Sequence, residues 1–321
     1  MFTPDHPLRF HPIFRSYIWG GNRLAHELAK ITPDDGIWAE SWEIVDHREA
    51  ESVVCGGEFE GKSIRQLISD FPEEMIGRSN PEERLPLLLK YLDCERVLSV
   101  QVHPDDAYGS TMQIPDRGKT EAWYVIEAAP GAVLYAGLKH GVDQSELERA
   151  ISSGQTESCL HVIHPKAGDC VFIPAGTVHA LGAGLLVAEI QQASDCTFRL
   201  FDWNRVDKDG KPRELHVKQA MDVIDFESGP RMICNRIELG TTGWSRLVEC
   251  DKFCLDEAIG PNKIKIDCDG FAILTVPKGT GRLWQNDRQW ELKRGESLLI
   301  PAACAALTLE LDSDSVALLA R

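Results

Sequence analysis

Two imidazoles, a carboxylate and an amide oxygen recur at spacings that suit one metal centre. Gln101 and His103 lie two apart in the run Leu98–His103 (LSVQVH), so as a strand it presents both side chains on one face and Val100 and Val102 on the other. Glu121 opens the next strand, Ala122–Glu127, after a loop rich in Gly, Pro and Asp, and His179 closes the run Ile-Pro-Ala-Gly-Thr-Val-His. Such a donor set fits a divalent first-row ion, Zn²⁺ first among them. A coordination position left for water or substrate would make the centre catalytic. A Gln-x-His pair in a strand is also what surface decoration or a satisfied core looks like, and residue spacing alone leaves both readings open. The remaining histidines (6, 11, 26, 47, 140, 161, 164 and 216) have no comparable partners.

The elements that must position these groups are short strands. Val171–Ile173, Leu185–Ile190, Phe271–Val276 and Ser297–Ile300 join the two strands above, each bounded by turn residues and too short and apolar for an ordinary helix. Helices are insertions. Ser63 caps a run with Ile64, Leu67 and Ile68 on one face; Asp143-Gln-Ser-Glu146 begins a second helix closed by Gly154; a third spans about 216–223. The segment 61–95 concentrates most of the expected helix and reads as a cap beside a β core. An internal echo organises the whole: Gly168-Asp-Cys-Val-Phe-Ile-Pro-Ala returns as Gly295-Glu-Ser-Leu-Leu-Ile-Pro-Ala302, 127 residues later. It points to two β-barrel or sandwich units of related design. The first copy leads to His179 and the second to Ala306 in its place, so the second unit reads as scaffold or lid.

Composition narrows the function classes. The 321 residues carry 34 Lys+Arg against 50 Asp+Glu, a formal net charge of −16. That field repels nucleic acid and anionic membranes, and an anionic substrate requires a locally cationic pocket. No apolar run approaches the ~20 residues of a membrane span, and the N-terminus lacks a secretory apolar region. Ten scattered cysteines with no C-x-x-C pair suit reduced thiols in a cytoplasmic protein.

Several longer motifs carry a resemblance. Leu-Ser-Val-Gln-Val-His-Pro-Asp-Asp (98–106), Gly-Lys-Thr-Glu-Ala-Trp-Tyr (118–124), Ile-Pro-Ala-Gly-Thr-Val-His-Ala (173–180) and Glu-Ile-Gln-Gln-Ala-Ser-Asp-Cys-Thr-Phe-Arg (189–199) resemble the type I mannose-6-phosphate isomerase family in its short bacterial, cupin-fold form. Trp19-Gly-Gly, Glu40-Ser-Trp-Glu-Ile44 and Pro86-Leu-Leu-Leu-Lys90 agree, in order over about residues 8–225. The resemblance implies a mainly β chain of two cupin-like, jelly-roll barrels: a catalytic domain over 1–230 with a helix-rich insert at about 61–95, and a degenerate second domain over 231–321. The large helical domain of longer members cannot fit here. Cys196 and Phe198 depart from a stretch that commonly carries small polar and tyrosine residues, and the turn Gly182-Ala-Gly184 is slightly longer than in some relatives.

The implied reaction interconverts mannose 6-phosphate and fructose 6-phosphate through an enediol, with one Zn²⁺ per chain held by Gln101, His103, Glu121 and His179. Arg199, Lys119 and Asp195 are the implied catalytic residues. A guanidinium is a poor base because its pKa exceeds about 12, so Arg199 is expected to stabilise the enediolate. Lys119 is expected to bind phosphate or shuttle protons, and Asp195 to orient Arg199 or move protons. Ser99, on the strand face of Gln101, is with Lys119 the implied substrate-binding residue; no Gly-rich phosphate loop is present. Trp19, Glu43 and Lys90 are weaker candidates for pocket lining, each read equally well as packing or a structural salt bridge. The expected partner is a hexose 6-phosphate, with neither nucleic acid nor membrane, and the oligomeric state is left open. The competing reading is a non-catalytic cupin-fold sugar-binding or regulatory protein. A metal-dependent dioxygenase is a third, disfavoured by the glutamine ligand.

Overall fold

Short apolar runs stopped by turns become strands along nearly the whole chain, in a computed structural model that describes residues 3–78, 83–206, 210–267 and 269–321. One six-stranded antiparallel sheet runs, edge to edge, Ile13–Arg15, Glu40–Ile44, Leu87–Cys94, Leu185–Gln192, Glu121–Ala128 and Cys170–Ile173. A facing sheet runs Phe198–Phe201, Val100–Val102, His179–Leu181, Leu134–Leu138 and Leu160–Ile163. Between them Leu92, Trp123, Val125, Leu134, Ala136 and Val187 form one buried core.

The second unit repeats this plan strand for strand. Its six-stranded sheet runs Ile237–Glu238, Ser245–Glu249, Cys254–Ile259, Val316–Ala320, Ala272–Lys278 and Ser297–Ile300, and its four-stranded partner Asn262–Ile266, Leu307–Leu311, Thr280–Gln285 and Arg288–Lys293. The echoed octamers occupy equivalent edge strands, each entered through a glycine at positive φ, Gly168 at 91° and Gly295 at 83°. Within the two large sheets one strand has no counterpart: Phe198–Phe201, which carries Arg199, is an addition to the repeat in the first unit, as is the small hairpin Asp46–His47 and Ala50–Glu51 outside them.

The chain is mainly β, as expected. Each unit is a pair of facing sheets, and among the described residues no sheet closes on itself. The two six-stranded sheets pack back to back, Leu89, Tyr124 and Ile190 of one against Leu255, Ile273 and Leu318 of the other. The first is therefore covered on both faces, which is why all eight residues of Leu87–Cys94 are buried.

That strand also revises the expected insert at 61–95. Only Ile64–Asp70 and Pro72–Ile76 are helical; Leu87–Cys94 is a central strand, and residues 79–82 fall outside the described ones. An apolar run of this length reads as helix or buried strand until a partner sheet is known. The first helix begins as the sequence indicates, Ser63 and Gln66 forming a reciprocal capping box while Ile64, Leu67 and Ile68 are buried. The helix Gln144–Ser152 is capped by Asp143, and Val217–Val223 supplies the third. No helix among the described residues is long and apolar enough to cross a membrane.

Candidate metal centre and active site

Strand register builds the centre. Gln101 is directly opposite His179 on one side and Arg199 on the other, so all three side chains leave the same sheet face. Val100 and Val102 turn the other way into a separate core. From the facing sheet Glu121, opposite Gln191 and Ile173, reaches across the gap. His103 follows immediately after its strand, and its carbonyl accepts from Gly176 N at 2.9 Å, which ties it to the segment ending in His179.

The groups converge. His103 Nε2 is 3.4 Å from Glu121 Oε2 and His179 Nε2 is 3.5 Å from Glu121 Oε1. The Gln101 amide lies 3.2 Å from His179 Nε2; turning that amide over exchanges its nitrogen and oxygen without moving the chain. Both imidazoles make a second contact that fixes their tautomer. Nδ1 of His103 donates to Cys196 O and Nδ1 of His179 to Thr177 O, each at 2.8 Å. Each Nε2 therefore turns an unprotonated lone pair inward, the arrangement of a metal-binding imidazole.

Electrostatics agree. Burial and the Lys119 ammonium push His103 down to about 3, and burial lowers His179 as well, so both rings are neutral, the form in which an imidazole can bind a metal. Glu121 is wholly buried; its desolvation is outweighed above all by the Lys119 ammonium, which holds it well below the ordinary carboxylate range. Neither of its oxygens makes a hydrogen bond, although Lys119 Nζ lies 3.0 Å from Oε2, a contact that is Coulombic rather than directional. A buried carboxylate with both oxygens unsatisfied, between two inward lone pairs, is what a divalent cation would complete. His103, Glu121 and His179 offer ligand atoms within 4.8 Å of one another.

Beside this centre lies a cavity of about 290 Å³, lined by Tyr17, Trp19, Ser99, Gln101, Lys119 and Arg199 among others. Lys90, Lys119, Arg199 and Arg213 bring four cations to it against Glu40, Glu189 and Asp195. This is the local cationic pocket that an anionic substrate of so acidic a chain requires. Arg199 is held by its Nε to Ser99 Oγ at 3.3 Å and its Nη1 to Glu214 O at 2.8 Å, and burial, then Arg213, lowers its pKa.

These contacts choose between alternatives that the sequence left open at two residues. Asp195 lines the cavity but forms no ion pair with Arg199 among the described residues; Ser99 and the Glu214 carbonyl orient that guanidinium instead. Glu43 lies outside the lining and pairs with Lys30 at 2.5 Å, whereas Trp19 and Lys90 are part of the wall. Lys119 is at the ligand end, its Nζ 3.1 Å from His103 Nε2.

Glu189 is the residue that sequence reasoning passed over. Its carboxylate pairs with Lys90 at 3.1 Å, accepts from Trp123 Nε1 at 3.0 Å and comes within 4.0 Å of Lys119. Burial, then Glu121, raises its pKa against the two lysines. The signal was present: an acid inside the apolar strand Leu185–Gln192 is anomalous unless paired. Glu40 and Thr197 join the wall from within the family motifs without having been singled out, and Tyr17 and Arg213 with no motif to announce them.

Comparison with known proteins follows the same line. The family model for the catalytic domain of type I phosphomannose isomerase matches residues 8–123. Mannose-6-phosphate isomerase ManA of Bacillus subtilis is 34% identical over 307 residues, covering 95% of this chain and 96% of its own. Mannose-6-phosphate isomerase of Streptococcus mutans is 33% identical over 312 residues, 97% of each chain. The crystal structure of mannose 6-phosphate isomerase from Bacillus subtilis superposes with a TM-score of 0.89 at 31% identity, over 98% of this chain and 99% of that one. With relatives of this identity aligned almost end to end, the chain belongs to the type I phosphomannose isomerase family.

Proposed function

We propose that this protein is an aldose–ketose isomerase that interconverts mannose 6-phosphate and fructose 6-phosphate. The observation that carries the proposal is the convergence of Glu121 with the Nε2 atoms of His103 and His179 beside a cationic cavity. Zn²⁺ is the ion we assign to Gln101, His103, Glu121 and His179, one per chain. When bound, it supplies a Lewis acid for the sugar oxygens around C1 and C2.

The remaining work falls to side chains. Moving a proton between C2 and C1 builds negative charge on an enediolate oxygen, and Arg199, fixed by Ser99 and Glu214, offers a cation that needs no reorganisation. Lys119 is buried between Glu121 and Glu189, and its three donors are within reach of the reacting end. It holds a sugar oxygen and moves its proton, while Ser99 with Lys119 binds substrate. Asp195, at the exposed rim, exchanges protons with solvent.

We further infer that residues 1–230 and 231–321 are two jelly-roll domains of the cupin type, the second without ligands. The order of ten strands shared by the two units supports this. A reducing, cytoplasmic setting suits cysteines scattered in this way without a C-x-x-C pair; Cys268 lies outside the described residues.

The test is turnover of mannose 6-phosphate before and after chelation, followed by addition of Zn²⁺. Activity that disappears with the metal and returns with it is expected. A full-length, folded, zinc-loaded protein that binds the sugar phosphate without converting it would instead establish the non-catalytic reading.

A further inference from the structure

The C-terminal unit holds no ligand of the centre, yet one of its side chains reaches the segment that supplies Lys119 and Glu121. Lys252, in the turn between the strands Ser245–Glu249 and Cys254–Ile259, places Nζ 2.7 Å from Asp106 Oδ2. The other oxygen of Asp106 accepts two hydrogen bonds, from Gly118 N at 2.8 Å and from Gln192 Nε2 at 2.9 Å. Gln192 in turn grips Thr120, whose N–H donates to Gln192 Oε1 at 3.0 Å and whose carbonyl accepts from Gln192 N at 3.1 Å. The amide between them, Lys119 N, donates to Pro104 O at 3.0 Å. Three consecutive backbone amides, 118 to 120, are thus fixed by one carboxylate, its glutamine partner and one carbonyl.

The packing at this point is close. A Cβ on Gly118 would meet Asp106 N at 2.5 Å and Asp105 C at 2.6 Å, so the Lys119 segment crosses directly over the Asp105–Asp106 backbone with no slack. A shift of Asp106 therefore moves Gly118, and with it the buried ammonium beside Glu121. Lys252 also contacts Asp251 at 2.9 Å, while its neighbour Phe253 is anchored in the core between the two units, its ring 6.4 Å from Phe172. The lysine thus extends from a fixed base.

We propose that Asp106 is a positioning residue for the isomerase site and that Lys252 clamps it, so that the C-terminal unit sets the geometry of Lys119 and Glu121 from outside the cavity. This rests on the isomerase reading above. Neither residue touches substrate; the pair acts through Gly118, Thr120 and Gln192. Because the ion pair is partly exposed, it is worth little as stability, but small misplacement of a reacting group is felt strongly in rate.

The experiment compares zinc-loaded wild type with Lys252→Met, Lys252→Arg, Asp106→Asn and the double variant Lys252→Met/Asp106→Asn. It reads kcat, KM, bound zinc and the thermal midpoint. Lys252→Met and Asp106→Asn are each expected to lower kcat about three- to ten-fold, with KM within two-fold and zinc and midpoint close to wild type. Lys252→Arg should restore kcat to within about two-fold, and the double variant should be no slower than the worse single one. Wild-type kcat in Lys252→Met overturns the proposal. So does a loss that tracks zinc or midpoint and is not rescued by arginine, since that is a merely structural role. A wild-type protein with no isomerase activity would instead overturn the isomerase reading itself.

Discussion

Lys90 and Glu189 stand directly opposite each other on adjacent antiparallel strands, their charges 3.1 Å apart beneath the cavity. Both are buried, and Glu40 approaches the same ammonium at 3.7 Å. Burial alone would lower the lysine; Glu189, then Glu40, outweigh it and raise it far above its ordinary value. The pair sits in the cavity wall almost wholly covered by protein, where an unpartnered charge is poorly hydrated.

Removing one member should therefore cost far more than removing an exposed ion pair. Lys90→Met is expected to destabilise the protein by about 3–5 kcal/mol, because it strands Glu189 and Glu40 in the interior. Urea unfolding measures it. A loss below about 1 kcal/mol would mean that the pair is solvated and the sheet less dry than its burial indicates.

His179 turns Nε2 toward Glu121 and makes a cross-strand contact with Gln101. His179→Ala should remove bound zinc and turnover together, read by metal analysis of the purified protein beside the mannose 6-phosphate assay. Wild-type zinc stoichiometry in that variant would remove His179 from the ligand set.

Arg199 offers a way to separate metal binding from turnover: its hydrogen bonds run to Ser99, the Glu214 carbonyl and His216. Arg199→Ala should retain zinc while kcat falls roughly 10²-fold or more, the scale of losing one fixed electrostatic stabiliser. An unchanged kcat would exclude the guanidinium from the reaction.

The metal-free protein should lose stability in acid in two stages. His103 is pushed down to about 3 from an ordinary 6.5, so the folded state keeps it neutral where the unfolded chain takes up a proton. Its contribution is complete above about pH 6.5 and is lost as pH falls toward 3, at up to about 1.4 kcal/mol per pH unit. His179 shifts in the same direction. Glu121, held well below its ordinary 4.5, adds a second loss once the unfolded carboxylate begins to protonate. Urea midpoints of chelated protein from pH 8 to 4 give the profile, and His103→Gln should flatten its upper part. A profile unaltered by that variant would show that the ring is not buried neutral.

Local patterning made much of the first unit legible. Alternation placed Gln101 and His103 opposite Val100 and Val102, because side-chain period along a strand is a local property. The Ser63 and Asp143 caps likewise depend only on residues within one turn. The glycine–acid octamers announced the duplication, which the matching sheet orders extend to ten strands in each unit. The family motifs named the residues that meet at the centre.

Tertiary structure alone decided the rest, for a physical reason common to each case. Leu87–Cys94 is apolar enough for helix or strand, and only the sheet on either side of it settles which. Glu189 is an oddity in an apolar run until Lys90, Trp123 and Lys119 arrive from other strands to offset its burial. Asp195 is four residues from Arg199 in sequence, yet Ser99, a hundred residues away, is the side chain that holds the guanidinium. Charge pairing and register act through space, between segments whose separation along the chain carries no record of their contact.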